Sequence, residues 1–216
     1  MMRNMPRSAD PAVRTALVEA AAEMLAGRAT VTARSLAHAT GSSTTALYTH
    51  FGGMPGLWRA VRQEGFTRLG RRLASVSRTE DPVRDLAALG AVYVLSAQTD
   101  PHLYRAMFDA AGDLEDPAAA DALFGGLVDC AERARQAGRF DETVDPLAVA
   151  TRFWAAGHGL AMLVLTAVLP VDAIATHGPE LAVGVFTAAG DEPGRCRAST
   201  RAGWASSGVA EAVPGG

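Results

Sequence analysis

The chain has 216 residues, 49% hydrophobic and 20% charged, with a formal net charge of −3, which is enough to bury a core without disulfides and excludes a disordered chain. Its two cysteines, Cys130 and Cys196, are far apart with no Cys or His close by, which argues against a disulfide framework or a zinc site and for a reducing cytoplasm. The charge is unevenly spread: residues 1–80 hold 11 Arg against 5 acids (+6) and residues 81–216 hold 9 Arg against 18 acids (−9), so the cation excess that a phosphate-binding face needs lies at the N-terminal end.

Residues 1–9, with Arg3 and Arg7 and no apolar signal segment, read as a flexible arm. Asp10-Pro11 then opens a helix, with Asp as N-cap and Pro at the first helical position, where its missing N–H costs nothing. Val13, Leu17, Met24 and Leu25 recur at helical spacing until Gly27 ends it. Thr32 caps a second helix, Ala33 to Thr40, with Leu36 and Ala37 on its apolar face. Gly41 supplies the turn, and Ser42 or Ser43 caps a short helix that runs from Thr44 to Phe51. On it Leu47 and Phe51 lie four apart and can be buried, while Thr44, Thr45, Tyr48 and His50 project short or flat groups with hydrogen-bonding ends. The spacing predicts a helix-turn-helix packed on the first helix, a three-helix unit ending near residue 55.

From Arg34 to Leu57 the segment resembles the DNA-binding domain of the TetR family of bacterial transcriptional regulators. The likeness runs through Leu36-Ala37, Gly41, Ser43, Leu47-Tyr48-x-His50-Phe51 and Gly56-Leu57. The resemblance implies that Arg34, Thr44 and Thr45 face base edges, and that Ser43, Tyr48 and His50 hold phosphates. Two positions depart from the pattern. Ser42 stands where a hydrophobic residue follows the turn glycine, and Met54 stands where the family has a Lys, which removes one expected phosphate contact.

A long helix is expected from Pro55 to Val76, with Leu57, Val61, Phe66, Leu69 and Leu73 on one side and most of its arginines on the other; Arg59 and Arg62, near its start, are placed to approach DNA if the family geometry holds. Asp-Pro start signals recur at residues 81, 100, 116 and 145, predicting helices over 82–98, 101–111, 117–137 and 146–168. No strand-like alternation occurs, so the body reads as all-α. A last helix is expected over 171–189, interrupted near Gly178-Pro179. Residues 191–216, rich in Gly, Ser, Ala and Arg, read as a disordered tail with Trp204 as its only large apolar anchor.

The most apolar stretch, Phe153 to Pro170, is short for a membrane span and holds His158 and two glycines, so no membrane partner is expected. Residues 137–160 resemble the ligand domain of a TetR subgroup marked by Trp, His and Gly at Trp154, His158 and Gly159. That likeness implies a homodimer formed through the last two helices, with Gly157, His158, Gly159 and Leu163 as candidate interface residues. Tyr93, Met107, Phe108, Phe124, Trp154 and Met162 are candidate effector contacts, chosen as large side chains on the body helices.

No HExxH, CxxC, GxSxG or GxxxxGK[ST] occurs and the five histidines are scattered, so no catalytic residue, metal or cofactor is assigned. Asp113, Glu115 and Asp116 read as a solvated loop that caps the next helix rather than a calcium loop. The sequence thus describes a cytoplasmic, all-α protein of two domains, 1–55 for DNA and 56–190 for ligand and dimerisation. Its function is that of a repressor-type regulator binding a palindromic double-stranded DNA operator as a homodimer and answering to an unidentified small-molecule effector. The alternative is a helical small-molecule-binding or protein-interaction module with little DNA affinity.

Overall fold

A computed structural model of the chain describes residues 10–27, 29–108 and 114–207. These residues form ten helices and no strand: α1 Pro11–Ala26, α2 Ala33–Thr40, α3 Thr44–Phe51, α4 Met54–Ala74, α5 Pro82–Thr99, α6 Pro101–Met107, α7 Pro117–Gln136, α8 Pro146–Leu165, α9 Ala173–Ala188 and α10 Pro193–Ala205. The start signals work as capping chemistry requires. Asp10 accepts from the Ala12 amide, Asp81 from Val83 and Arg84, Asp145 from Leu147, and each is followed by Pro at the head of its helix. In each case a carboxylate satisfies amides that the first turn leaves without partners. The flexible arm expected over residues 1–9 lies outside the described residues.

Two compact units emerge, and their boundary is not at residue 55. The first comprises residues up to Thr67 together with Pro101–Pro117; the second comprises Arg68–Asp100 and the chain from Ala118 onward. The segment holding α6 joins the first unit because its side chains are buried there. Leu103 shares a core with Leu17, Val18, Leu36, Leu47, Leu57 and Val61. Gly65 of α4 leaves space that Met107 fills, since a Cβ there would lie 2.4 Å from Met107 Cγ. The Arg62 guanidinium donates to the Met107 carbonyl at 2.8 Å, and the Asp116 amide donates to Gln63 Oε1 at 2.9 Å.

The second unit is built on α5, α8, α9 and α10, around Leu86, Ala91, Val149, Phe153, Ile174, Phe186 and Trp204. Residues 191–207 are a correction to the expected disordered tail. Glu192 caps α10 through the Gly194 and Arg195 amides, and Cys196, Ser199, Thr200, Gly203 and Trp204 form its buried face. Their spacing is helical, but most are small or polar, so an apolar pattern did not announce the helix. Gly203 lets α10 approach α5, where a Cβ would lie 2.4 Å from the Arg84 carbonyl oxygen. The Trp204 indole covers Gly178, and α9 runs through Gly178-Pro179 without the expected interruption. The part of the expected tail beyond residue 207 lies outside the described residues.

Candidate nucleic-acid interface

The helix-turn-helix is locked by hydroxyl groups. Thr32 and Ser35 form a reciprocal capping box, the Ser35 amide donating to Thr32 Oγ1 at 3.0 Å and the Thr32 amide to Ser35 Oγ at 2.9 Å. Such a box satisfies two end amides of α2 at once. Gly41 takes φ 64°, the left-handed conformation that reverses the chain without a Cβ clash. Ser42, the departure from the family pattern, has a local use. Thr40 Oγ1 donates to the Leu36 carbonyl at 2.8 Å and lies 2.7 Å from Ser42 Oγ, which therefore donates to it. Ser43 caps α3, accepting from the Ala46 amide at 3.2 Å.

Leu47 and Phe51 turn one face of α3 into the core, leaving Thr44, Thr45, Tyr48 and Thr49 on the exposed face. Tyr48 is 62% exposed, with its ring edge close to the backbone of Gly53. An aromatic ring this exposed packs only along one edge within the protomer, and its hydroxyl is free to face an outside group such as a phosphate. Arg34 is exposed on α2 and Ser43 at the N-cap of α3, and His50 is half-buried with its ring beside Phe51, centroids 6.0 Å apart. All six residues expected to touch DNA therefore lie on α2, on α3 or at the cap between them. Thr49 shares the exposed face, with its hydroxyl donating to the Thr45 carbonyl at 3.0 Å.

Not every expected cation is available. Arg62 is half-buried and committed to the Met107 carbonyl, which corrects the expectation that it approaches DNA. Arg59 remains exposed at the head of α4. Met54 is half-buried and packs against the first unit's core, so the position that carries a Lys in the family pattern is here spent on packing. Arg14 lies over the Phe51 ring at 5.3 Å and pairs with Glu115 at 2.8 Å. This gives one member of the acidic loop a partner, while Asp113 lies outside the described residues.

The candidate effector residues divide between the units. Met107 is buried in the first, and Phe108 sits there against Phe66 and Tyr104, with ring centroids 6.2 and 5.2 Å away. Tyr93, Phe124, Trp154 and Met162 belong to the second and are half-buried. Trp154 Nε1 donates to the Tyr93 hydroxyl at 3.0 Å, and that hydroxyl lies 3.0 Å from His158 Nδ1. Phe124 meets Trp154 edge-on at 5.9 Å. Burial holds the His158 imidazole below the usual histidine pKa.

The candidate dimer residues also divide. His158 faces Tyr93, and a Cβ on Gly157 would lie 3.7 Å from Val94 and 4.0 Å from Tyr93, so these two point into their own protomer rather than outward. Gly159 and Leu163 are on the outer face, where a Cβ on Gly159 would meet nothing within 4 Å and Leu163 is 42% exposed. With Leu147, Thr151 and Ala155 they make an exposed stripe at four-residue spacing along α8; His177, Leu181, Gly184 and Ala188 make another along α9. Among the described residues α8 is the one helix long and apolar enough to cross a membrane.

Residues 86–177 match the family described as the tetracyclin repressor-like C-terminal domain. No curated protein matches the sequence. Solved structures share the fold. A TetR family transcription regulator from Marinobacter aquaeolei VT8 aligns with TM-score 0.64 and 19% identity, over 87% of this chain and all (100%) of that one. TylP, a TetR regulator from Streptomyces fradiae, aligns with TM-score 0.63 and 20% identity, over 89% of this chain and 94% of that one. SmeT, the repressor of the Stenotrophomonas maltophilia multidrug efflux pump SmeDEF, aligns with TM-score 0.61 and 21% identity, over 81% and 89%.

Proposed function

We propose that this chain, which belongs to the TetR family by its fold and its repressor-like C-terminal domain, is a cytoplasmic, ligand-responsive repressor that binds a palindromic operator as a homodimer and performs no catalysis. The observation that carries the reading is the exposed face of α3: Thr44, Thr45 and a 62%-exposed Tyr48 stand outward over buried Leu47 and Phe51. Helices of this kind enter the major groove, with phosphate contacts setting register and short polar side chains reading base edges. SmeT and TylP, regulators by their descriptions, have the same fold.

The stripes on α8 and α9 support the dimer. Gly159 and Gly184 keep both helix surfaces low, and Leu163 and Leu181, 42% and 40% exposed, flank them with apolar area that a second copy would remove from water. Two recognition helices then meet successive major grooves about 34–36 Å apart. An effector releases the operator only by binding a conformer with a different spacing more tightly.

A salt titration on generic duplex DNA tests the core of this reading. Affinity should fall steeply with salt, the slope on a log–log plot being about −0.9 for each phosphate neutralised. With Arg62 committed and Met54 apolar, Arg34 and Arg59 are the main exposed arginines near the motif among the described residues, so charge removal at either should lower that slope by about one unit per protomer. Absence of binding even at low ionic strength would replace the regulator with the alternative, a helical binding module.

A further inference from the structure

We infer that α3 reads thymine through its C5-methyl group, and that Thr49 is a further specificity-determining residue that makes this contact in each half-site of the operator. The inference deepens the regulator reading above and rests on it. The helix carries the sequence TTALYTHF, with no Arg, Lys, Asn, Gln, Asp or Glu. Guanine is read by Arg or Lys, adenine by Asn or Gln, and cytosine by Asp or Glu. None of these readers stands on α3. Its outer face offers hydroxyl and methyl groups instead, and thymine alone among the four unmodified bases presents a methyl in the major groove.

The placement of those groups follows from the helix. Successive residues turn by about 100°, so Thr45 and Thr49 form one row along the outer face and Thr44 and Tyr48 form the next. All four are exposed, while buried Leu47 and Phe51 fix the side that turns inward. The two rows end in different chemistry. Tyr48 carries a long phenol, 62% exposed, whose hydroxyl extends past the helix toward phosphate. Thr49 carries a short side chain, which touches only what the helix itself approaches closely.

The orientation of Thr49 decides what it presents. Its hydroxyl donates to the Thr45 carbonyl at 3.0 Å, and a hydroxyl has one hydrogen to give. No donor is left for guanine N7 or O6, or for adenine N7. With the oxygen drawn back against the backbone, the methyl on the same Cβ is the group available to a base. A purine edge under that methyl would lose water from its polar atoms without gaining a partner, whereas a thymine brings a methyl to meet it.

The test selects bound duplexes from random-sequence DNA with the full chain, then replaces each thymine of the selected duplex in turn by uracil. Uracil pairs as thymine does and lacks only the C5-methyl. At the step under Thr49 the exchange should weaken binding about fourfold for each half-site altered, the affinity equivalent of one buried methyl group. Thr49→Ser keeps the hydroxyl and removes the methyl, and should erase the uracil penalty at that one step while penalties at other thymines stay. Thr49→Val keeps a methyl and removes the hydroxyl, and should retain the penalty. A variant that merely disturbed the helix would weaken binding and leave the uracil penalty in place. The inference is overturned by a selected duplex in which no thymine is sensitive to uracil, or by a penalty that persists at every step in Thr49→Ser; salt-dependent binding in the same samples then keeps the regulator. Failure to bind any duplex at low ionic strength removes the regulator, and the inference with it.

Discussion

Arg139→Met should detach α10 and cost the protein a large part of its stability. The Arg139 side chain is 1% exposed, as is that of Asp191, and the two meet through paired hydrogen bonds of 2.8 and 2.7 Å. The same guanidinium reaches Asp81 at 2.6 Å and Ser199 of α10 at 3.1 Å, and Ser199 in turn donates to Asp81. The substitution keeps the volume and removes the charge, which strands the Asp191 carboxylate away from water. Breaking a buried pair in this way costs about 3–5 kcal/mol. At about 2–4 °C per kcal/mol for a chain of this size, the thermal midpoint should fall by about 6–20 °C.

Circular dichroism measures that midpoint, and trypsin reports the place, because Arg195, Arg197 and Arg201 are exposed on α10 and become cleavable once it leaves the bundle. The pH dependence has a definite sign. In the parent, Asp81 is subject to burial, which raises its pKa, but hydrogen bonds from Ser199 and the Arg84 amide and the charge of Arg139 outweigh it and leave the pKa lowered. Its contribution is therefore present above the usual carboxylate pKa and lost as pH drops below it. Arg139→Met combined with Asp191→Leu should recover much of the loss, since no charge is then stranded. An unchanged midpoint in Arg139→Met, or unchanged tryptic cleavage within α10, would refute the reasoning.

Tyr48→Phe should weaken binding to all duplexes alike, because a phosphate contact positions the helix without reading sequence; altered operator preference at constant generic affinity would contradict this. Arg34→Ala should cost about 1–3 kcal/mol on the true operator and relax one symmetric pair of positions if Arg34 reads a guanine, and operator selection repeated with the variant decides between that and a phosphate contact. Gly159→Leu should leave the protomer's fold intact, since a Cβ there meets nothing within 4 Å, but weaken the dimer by about 1–3 kcal/mol through overpacking; sedimentation showing an unaltered dimer would remove Gly159 from the interface. Because burial depresses the His158 pKa, the folded state takes up this proton later than the unfolded state, and stability should fall as pH drops through the usual histidine pKa. His158→Phe should flatten that part of a urea-midpoint profile, and an unchanged slope would show that His158 does not carry it.

The helix-turn-helix was legible because its determinants are local. Thr32, Gly41, Ser43, Leu47 and Phe51 act within a turn or two of their own positions, so capping and helical spacing revealed each of them. The segment around α6 was different. Nothing in its sequence says that Leu103 is buried with α1 rather than with the helices on either side of it, and that choice moves the unit boundary. For α10 the failure was of pattern. Its inner face is made of Cys196, Ser199, Thr200, Gly203 and Trp204, and its anchor, Asp191 with Arg139, is a buried charge pair that hydrophobic periodicity cannot register.

His158 marks the same limit at the functional site. Its neighbours on α8, small and apolar, suggested a surface where two helices approach, and Gly159 does lie on that outer surface. A helix turns about 100° per residue, so the residue before it points elsewhere, and Tyr93, 65 positions away, is what receives the imidazole. One helix therefore has two uses, one side open for a partner copy and the other committed to a polar, aromatic interior. Under the proposed function, this arrangement would let a bound effector act on the dimer surface. A molecule that shifts Trp154 or His158 acts on the helix whose outer face would fix the dimer, and any rotation of α8 changes the surface that the second copy must match. Coupling of that kind needs a differential affinity between conformers. It predicts that Tyr93→Phe, remote from DNA in sequence, alters release by effector while leaving effector-free operator affinity intact.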